Sequence, residues 1–173
     1  MIGSWEIGHL DNPALFHDLA VAYLDTCIVA MRAMVYGPFF PRFSHSRVVL
    51  SMAYHATELF LKGAILRATG EKKVGGHVLK ELYAKYEKIY MDEEFHFDVV
   101  PFSSVYMGFT PDQRAELEKD EPPKDQMYRY HTDLEGEKWE SDQGFTPESF
   151  LETLNALRKT FTTLGRRIHS LNA

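Results

Sequence analysis

Cross-linking sulfur is the first thing this sequence lacks. One residue of 173 is cysteine, Cys27, so no disulfide can close within the chain. Order must come from a buried core, and a chain of this length can bury one unaided. Cys27 sits in an apolar stretch and reads as a small buried hydrophobe. A lone thiol suits a reducing cytoplasm. Excess positive charge is missing too. Nineteen Lys and Arg stand against 25 Asp and Glu, for a net charge of −6. That excludes the general basic footprint of a DNA-binding protein. A local cleft is not excluded, because Glu116–Asp142 alone carries ten acids and four bases.

Targeting and membrane signals are also scarce. The first ten residues show no basic start followed by an apolar core, so no signal peptide is expected. The most apolar window, Leu19–Tyr36, is interrupted by Asp25 and Arg32. One charge at mid-span costs at least about 2.5 kcal/mol on insertion scales. A buried helix of a cytoplasmic protein is expected there, with no membrane partner. Motifs with a known mechanism are absent: no Gly-x-Ser-x-Gly, no P-loop, no dinucleotide fingerprint. Cys27 has no activating neighbour in sequence. No cofactor is expected.

What the chain does have is apolar periodicity, densest over Ser46–Gly70. Apolar groups nearly surround this stretch, from Val48 through Leu59, Phe60 and Leu61 to Leu66. Its polar residues fall at Arg47, Ser51, His55, Glu58 and Lys62, in steps of four, four, three and four. Those steps put all five on one narrow face of an α-helix. A helix apolar almost all round is buried on most sides, so this is the expected central helix of a bundle, with one polar seam.

The other elements follow in order. Asn12 as N-cap and Pro13 open a first helix that runs to Tyr36. Leu15, Leu19, Ala22, Tyr23, Cys27, Ala30 and Met34 give it one apolar face, and Leu24, Ile28, Met31 and Val35 cover much of the rest. Asp18, Asp25 and Arg32, spaced by seven, make a second polar line. Two packing surfaces on one helix imply a bundle neighbour on one side and a second subunit on the other, hence a homodimer. The Gly37–Pro41 segment breaks the chain. Ser44 or Ser46 is the expected cap of the central helix and Gly70 its left-handed end.

A third helix is expected over His77–Met91, and Asp92–Thr110 takes no assigned state. A short acidic helix is expected from Pro111 to Lys119. Met127–Glu140 alternates in the manner of a small hairpin or extended arm. Thr146 and Pro147 open the last helix, where Phe150, Leu154, Leu157, Phe161, Leu164, Ile168 and Leu171 keep a seven-residue repeat. The expected fold is therefore all-α: one domain, residues 1–173, an up-and-down bundle of four or five helices with an extended arm before the last.

Three segments in order resemble the HEPN family of helical domains, named for nucleotide binding in higher eukaryotes and prokaryotes. Ala53–Gly70, AYHATELFLKGAILRATG, is similar to the family's central helix with its E-x-x-L-K core. Gly76–Tyr83, GHVLKELY, is similar to the G-H-x-L-x-x-L that follows the loop. Tyr128–Gly136, YRYHTDLEG, is similar to the R-Y arm of some members. Together they span about half the chain. The resemblance implies a bundle that is commonly dimeric. Many members are metal-independent ribonucleases of bacterial toxin–antitoxin, phage-defence or RNA-processing systems, marked by an Arg, four to six residues, then a His. No Arg here fits that spacing: Arg47 and His55 enclose seven residues and Arg166 and His169 enclose two. Members without the motif act as binding or scaffold modules.

Each candidate site has a functional and a structural reading. Arg47, Ser51, His55 and Glu58 could form a cleft for a nucleotide or RNA, with Arg47 holding an anion and His55 moving a proton. They could equally form a polar network between the first two helices, with Asp25 and Arg32 as partners. His55 and Glu58 offer two ligands one turn apart, with His17–Asp18 in support, but bundle metal sites need more on facing helices, and no metal site is assigned. His77, beside Gly75-Gly76, either meets an anion at a helix start or packs there. Arg129 and His131 flank Tyr130 and either stack a base or pack the arm on the bundle. Arg166, Arg167 and His169 either contact RNA or balance the helix dipole. Three functions stay open: a non-catalytic module that binds nucleotide or RNA or serves as a dimeric scaffold, an atypical endoribonuclease using Arg47, His55 and Glu58, and a metal-binding bundle enzyme.

Overall fold

A computed structural model describes residues 8–38, 42–98, 110 and 146–171. These form an all-α bundle: α1 (Asn12–Tyr36), α2 (Phe43–Thr69), α3 (Leu79–Ile89) and α4 (Pro147–Leu171), with a 3₁₀ turn at Glu93–Phe95 after α3. No strand occurs among the described residues. The proposed acidic helix and the hairpin or arm at 127–140 lie outside them.

The helix ends follow local chemistry. Asp11, one residue before the expected cap, caps α1 by accepting the Ala14 N–H at 2.9 Å. Gly37 closes that helix with its N–H on the Ala33 carbonyl. α2 begins earlier than Ser44 or Ser46, because the His45 ring accepts the Arg42 backbone N–H at 2.9 Å and fixes the entry there. Gly70 ends α2 at φ 67°, in the left-handed region where a side chain is costly. α3 starts at Leu79 rather than His77. The Tyr54 hydroxyl donates to the His77 carbonyl and accepts the Leu79 N–H, so an α2 side chain holds the start of α3.

Side-chain contacts set the directions. The start of α1 lies beside the end of α2, where Arg67 pairs with Asp11, and Cys27 lies level with Val49. α1 and α2 are thus an antiparallel hairpin. α4 also runs against α1, with Arg158 on Asp25 and the Phe161 carbonyl on His17. The Gly70–Val78 connection doubles back along α2, so α3 sets off in the same direction as α2: Leu79 is held by Tyr54, and Tyr90 by the Ala64 carbonyl. Alternation therefore holds between α1 and its two long neighbours, and α3 is laid parallel to α2.

Two glycines bring α1 close to its neighbours. A β-carbon at Gly63 of α2 would stand 2.9 Å from Phe16 Cβ, and one at Gly165 of α4 would fall on the His17 ring. The core is aromatic where α2, α3 and α4 meet. Phe60 stacks on Phe161 at 4.1 Å and 5°, and Phe97 meets both edge-on. Tyr86 and Tyr90 give their hydroxyls to the carbonyls of Phe95 and Ala64, which satisfies them inside the core.

The last helix keeps its seven-residue stripe. Phe150, Leu154, Leu157, Phe161, Leu164 and Ile168 are buried, while Leu171 at the end is exposed. α1 departs from its expected facing. Its core face is Ala20, Leu24, Cys27, Ile28 and Met31, whereas Leu19 and Ala22, expected inside, look outward. Apolar residues surround α1, so sequence period alone could not choose its phase.

Candidate functional site

The polar seam of α2 becomes a site at Glu58. Its carboxylate is 2% exposed, in the middle of the most buried helix. Lys62, one turn on, donates to Glu58 Oε1 at 2.7 Å, and Nδ1 of His77 lies 2.9 Å from the same oxygen. His55, three residues earlier, faces the other oxygen, with Nδ1 3.7 Å from Oε2. That is too long for a hydrogen bond. Both His55 Nδ1 and Glu58 Oε2 are buried without a hydrogen-bond partner. The edge of the Tyr23 ring, from α1, meets His55 with centroids 4.9 Å apart.

A buried carboxylate is costly unless paired. Burial alone pushes the Glu58 carboxyl up. The His55 ring, the Lys62 ammonium and the charge of His77 act the other way and prevail, holding it down at about 2. The cluster is thus an anion held at one oxygen by two partners, Lys62 of its own helix and His77 of the α2–α3 connection, with the His55 ring facing its other oxygen. Its effect is to clamp that connection against α2.

Several expected partners are elsewhere. Asp25 does not meet the seam; it pairs with Arg158 of α4 at 2.8 Å. Arg32 is exposed on α1 and does not meet it either. Arg47 is buried, its guanidinium 5.9 Å from the Phe43 ring centre. It lies eleven residues before Glu58, roughly 16 Å along the helix axis. The structure brings His55 and Glu58 together and leaves Arg47 well over two turns away. Ser51, half-buried, stands one turn before His55. Arg129 and His131 lie outside the described residues.

His77 is the member that helical spacing misses, because it comes from a loop. Lys62 was visible in the seam but carried no expected role. A further cluster has no periodic signal at all. At the end of the bundle where α2 finishes, Arg67 donates to Asp11 at 2.9–3.0 Å and lies 2.7 Å from His169 Nδ1. The His169 ring packs edge-on to His17, whose Nε2 is 2.9 Å from the Phe161 carbonyl. Burial, Arg67 and His17 lower the His169 pKa, and Asp11 opposes them. The basic end of α4 is likewise engaged, with Arg167 reaching Glu94 at 3.2 Å. His17 is therefore committed far from His55 and gives a metal at Glu58 no support. Among the described residues, no three His, Cys, Asp or Glu side chains are grouped to hold a metal ion.

Cys27 is fully buried and its thiol is pushed up to about 12 by burial, so it is no nucleophile. By length and composition α1 could also cross a membrane, although its inner face is packed on α2 and α4. Comparison with family models, curated proteins and solved structures gives no match.

Proposed function

We propose that this chain is a non-catalytic, HEPN-like module that works as a dimeric scaffold, with a nucleotide or RNA as the ligand class its resemblance implies. One observation carries the reading: the most buried charge of the seam, Glu58, is already engaged by Lys62 and His77 of the same chain. A carboxylate held down at about 2 by its own neighbours is a poor general base near neutrality. Arg47, the expected anion ligand, stands too far along α2 to act with it. Glu58, Lys62 and His77 are engaged with one another in holding the α2–α3 connection.

The test is purified protein incubated with RNA in EDTA. The expected result is intact RNA, unchanged by His55→Ala. Isothermal titration with a nucleotide panel then separates the two non-catalytic roles. Heat with any member makes it a binding module, and silence with all leaves a scaffold.

A second reading, the atypical endoribonuclease, draws on His55. Its ring is half-buried and its Nδ1 faces a carboxylate, an arrangement that can orient an imidazole for proton transfer. RNA cleavage that disappears in His55→Ala would establish it and remove the first.

A further inference from the structure

The face of α1 turned away from the core is apolar and has no neighbour among the described elements. It carries Leu19, Ala22, Thr26, Val29, Ala33 and Tyr36, all exposed. Val29 is 67% and Tyr36 77% exposed. The Thr26 hydroxyl donates to the Ala22 carbonyl at 2.9 Å, so its proton needs no partner across the seam. The residues step by three, four, three, four and three, the spacing of a helix–helix seam.

The order of side chains on this stripe reads alike from both ends. Turned end for end about a point between Thr26 and Val29, Leu19 meets Tyr36 of the second copy, Ala22 meets Ala33, and Thr26 meets Val29. Large groups face large, small face small, and the β-branched pair meets at the centre. The charges agree independently. Asp18, Asp25 and Arg32 lie along one flank, the side on which Asp25 reaches Arg158. In an antiparallel two-fold pair, like flanks come together. Arg32 of one copy then falls between the levels of Asp18 and Asp25 of the other. Within the chain, Asp18 and Arg32 make no ion pair among the described residues. A parallel pair would instead put the charged flanks on opposite sides and leave them unused.

We propose that α1 pairs with α1 of a second copy, antiparallel, about a two-fold axis between Thr26 and Val29. This rests on the scaffold reading and names its partner surface. Steric and charge registers that agree on one centre are what a self-complementary, isologous interface requires.

Light scattering after size exclusion, on the full chain, gives the mass, and cysteine cross-linking gives the direction. Cys27 is fully buried and does not compete for the reagent. Val29→Cys cross-links to itself through a short bis-maleimide. Leu19→Cys and Tyr36→Cys do so only when mixed, because each lies roughly 25 Å from its own copy across the axis. Val29→Asp weakens the dimer at least a hundredfold with unchanged helical circular dichroism. Arg32→Glu weakens it about tenfold, and adding Asp18→Arg restores it. Self-linking of Leu19→Cys, a dimer that survives Val29→Asp, or a monomer that floats with lipid vesicles overturns the proposal. RNA cleavage by an intact α1 dimer would overturn the functional reading alone. A dimer indifferent to Val29→Asp would overturn this inference alone.

Discussion

Two clusters in this bundle each combine one acid, one base and two histidines, to different effect. The first joins Glu58 to Lys62, His55 and His77. The second joins Arg67 to Asp11 and His169, with His17 packed edge-on to the His169 ring. In the first, the acid is innermost, at 2% exposure, and the base beside it is nearly as buried. In the second, the base is innermost and its acid is half in water. Ion pairs in water are worth little, while a charge stranded inside is expensive. The lesson is that the composition of a polar cluster does not set its weight; the depth of its central charge does. The Glu58 cluster holds the α2–α3 connection, and the Arg67 cluster trims the bundle's end.

The largest effect that can break this comparison is loss of the Glu58 charge. Glu58→Gln strands the Lys62 ammonium inside the helix pack, and roughly 3–5 kcal/mol of stability should go. Urea unfolding followed by circular dichroism measures it. Glu58→Leu with Lys62→Met should regain most of the loss, because the stranded charge goes too. A cost below about 1 kcal/mol for Glu58→Gln would put the two clusters on an equal footing.

Acid titration should separate them as well. Glu58 has its folded pKa lowered from 4.5 to about 2, so the unfolded chain takes up the proton first. Its contribution is full above pH 4.5 and fades as pH falls to about 2, for a total of about 3 kcal/mol. His169 is also lowered, from 6.5, so it too costs stability as pH falls, but from pH 6.5 downward. Stability plotted against pH should therefore decline in two stages. Glu58→Gln should abolish the lower stage and His169→Gln the upper. A single stage, or one that both variants share, would show the clusters to be coupled.

Close helix approach sharpens the contrast at the Arg67 end. Gly165→Ala drives a methyl on to the His17 ring, and about 1–3 kcal/mol should be lost on thermal or urea unfolding. Adding His17→Ala to it should recover part of that loss. If Gly165→Ala alone is neutral, the His17 ring is not packed tightly against Gly165 and the close approach there is not required.

How much of this was legible in the sequence depended on the element. α4 was the plainest, since its seven-residue stripe is flanked by polar residues and only one phase buries it. The α2 seam was legible as spacing, because His55, Glu58 and Lys62 share a helix and must share a face. α1 was legible as a helix but not in its phase: with apolar residues on every side, Leu19 and Leu24 look alike until neighbours are in place. His77 was not legible as a partner of Glu58. A non-helical loop carries it back along α2, and no periodicity encodes that return. The parallel run of α3 is hidden for the same reason. The Arg67 cluster draws on α1, α2 and α4 at once, so it appears only after the three are packed.

The smallest expected effect comes from Asp11, and it probes the comparison from the weak side. Asp11 does two things: it caps α1 through the Ala14 N–H and it accepts the Arg67 guanidinium. Asp11→Ala should cost about 1 kcal/mol, a cap's worth, because its half-exposed carboxylate adds little as an ion pair. Asp11→Asn keeps an N-cap acceptor and removes the charge, so it should cost less. The sharper reading is at His169, whose imidazole the Asp11 charge favours in its protonated form. Without that charge, the His169 titration followed by NMR should move to lower pH in both variants. The guanidinium would then face the ring with nothing to offset it. A titration that stays where it was would mean that water, rather than Asp11, sets the field there, and the Arg67 cluster would be weaker than its geometry suggests.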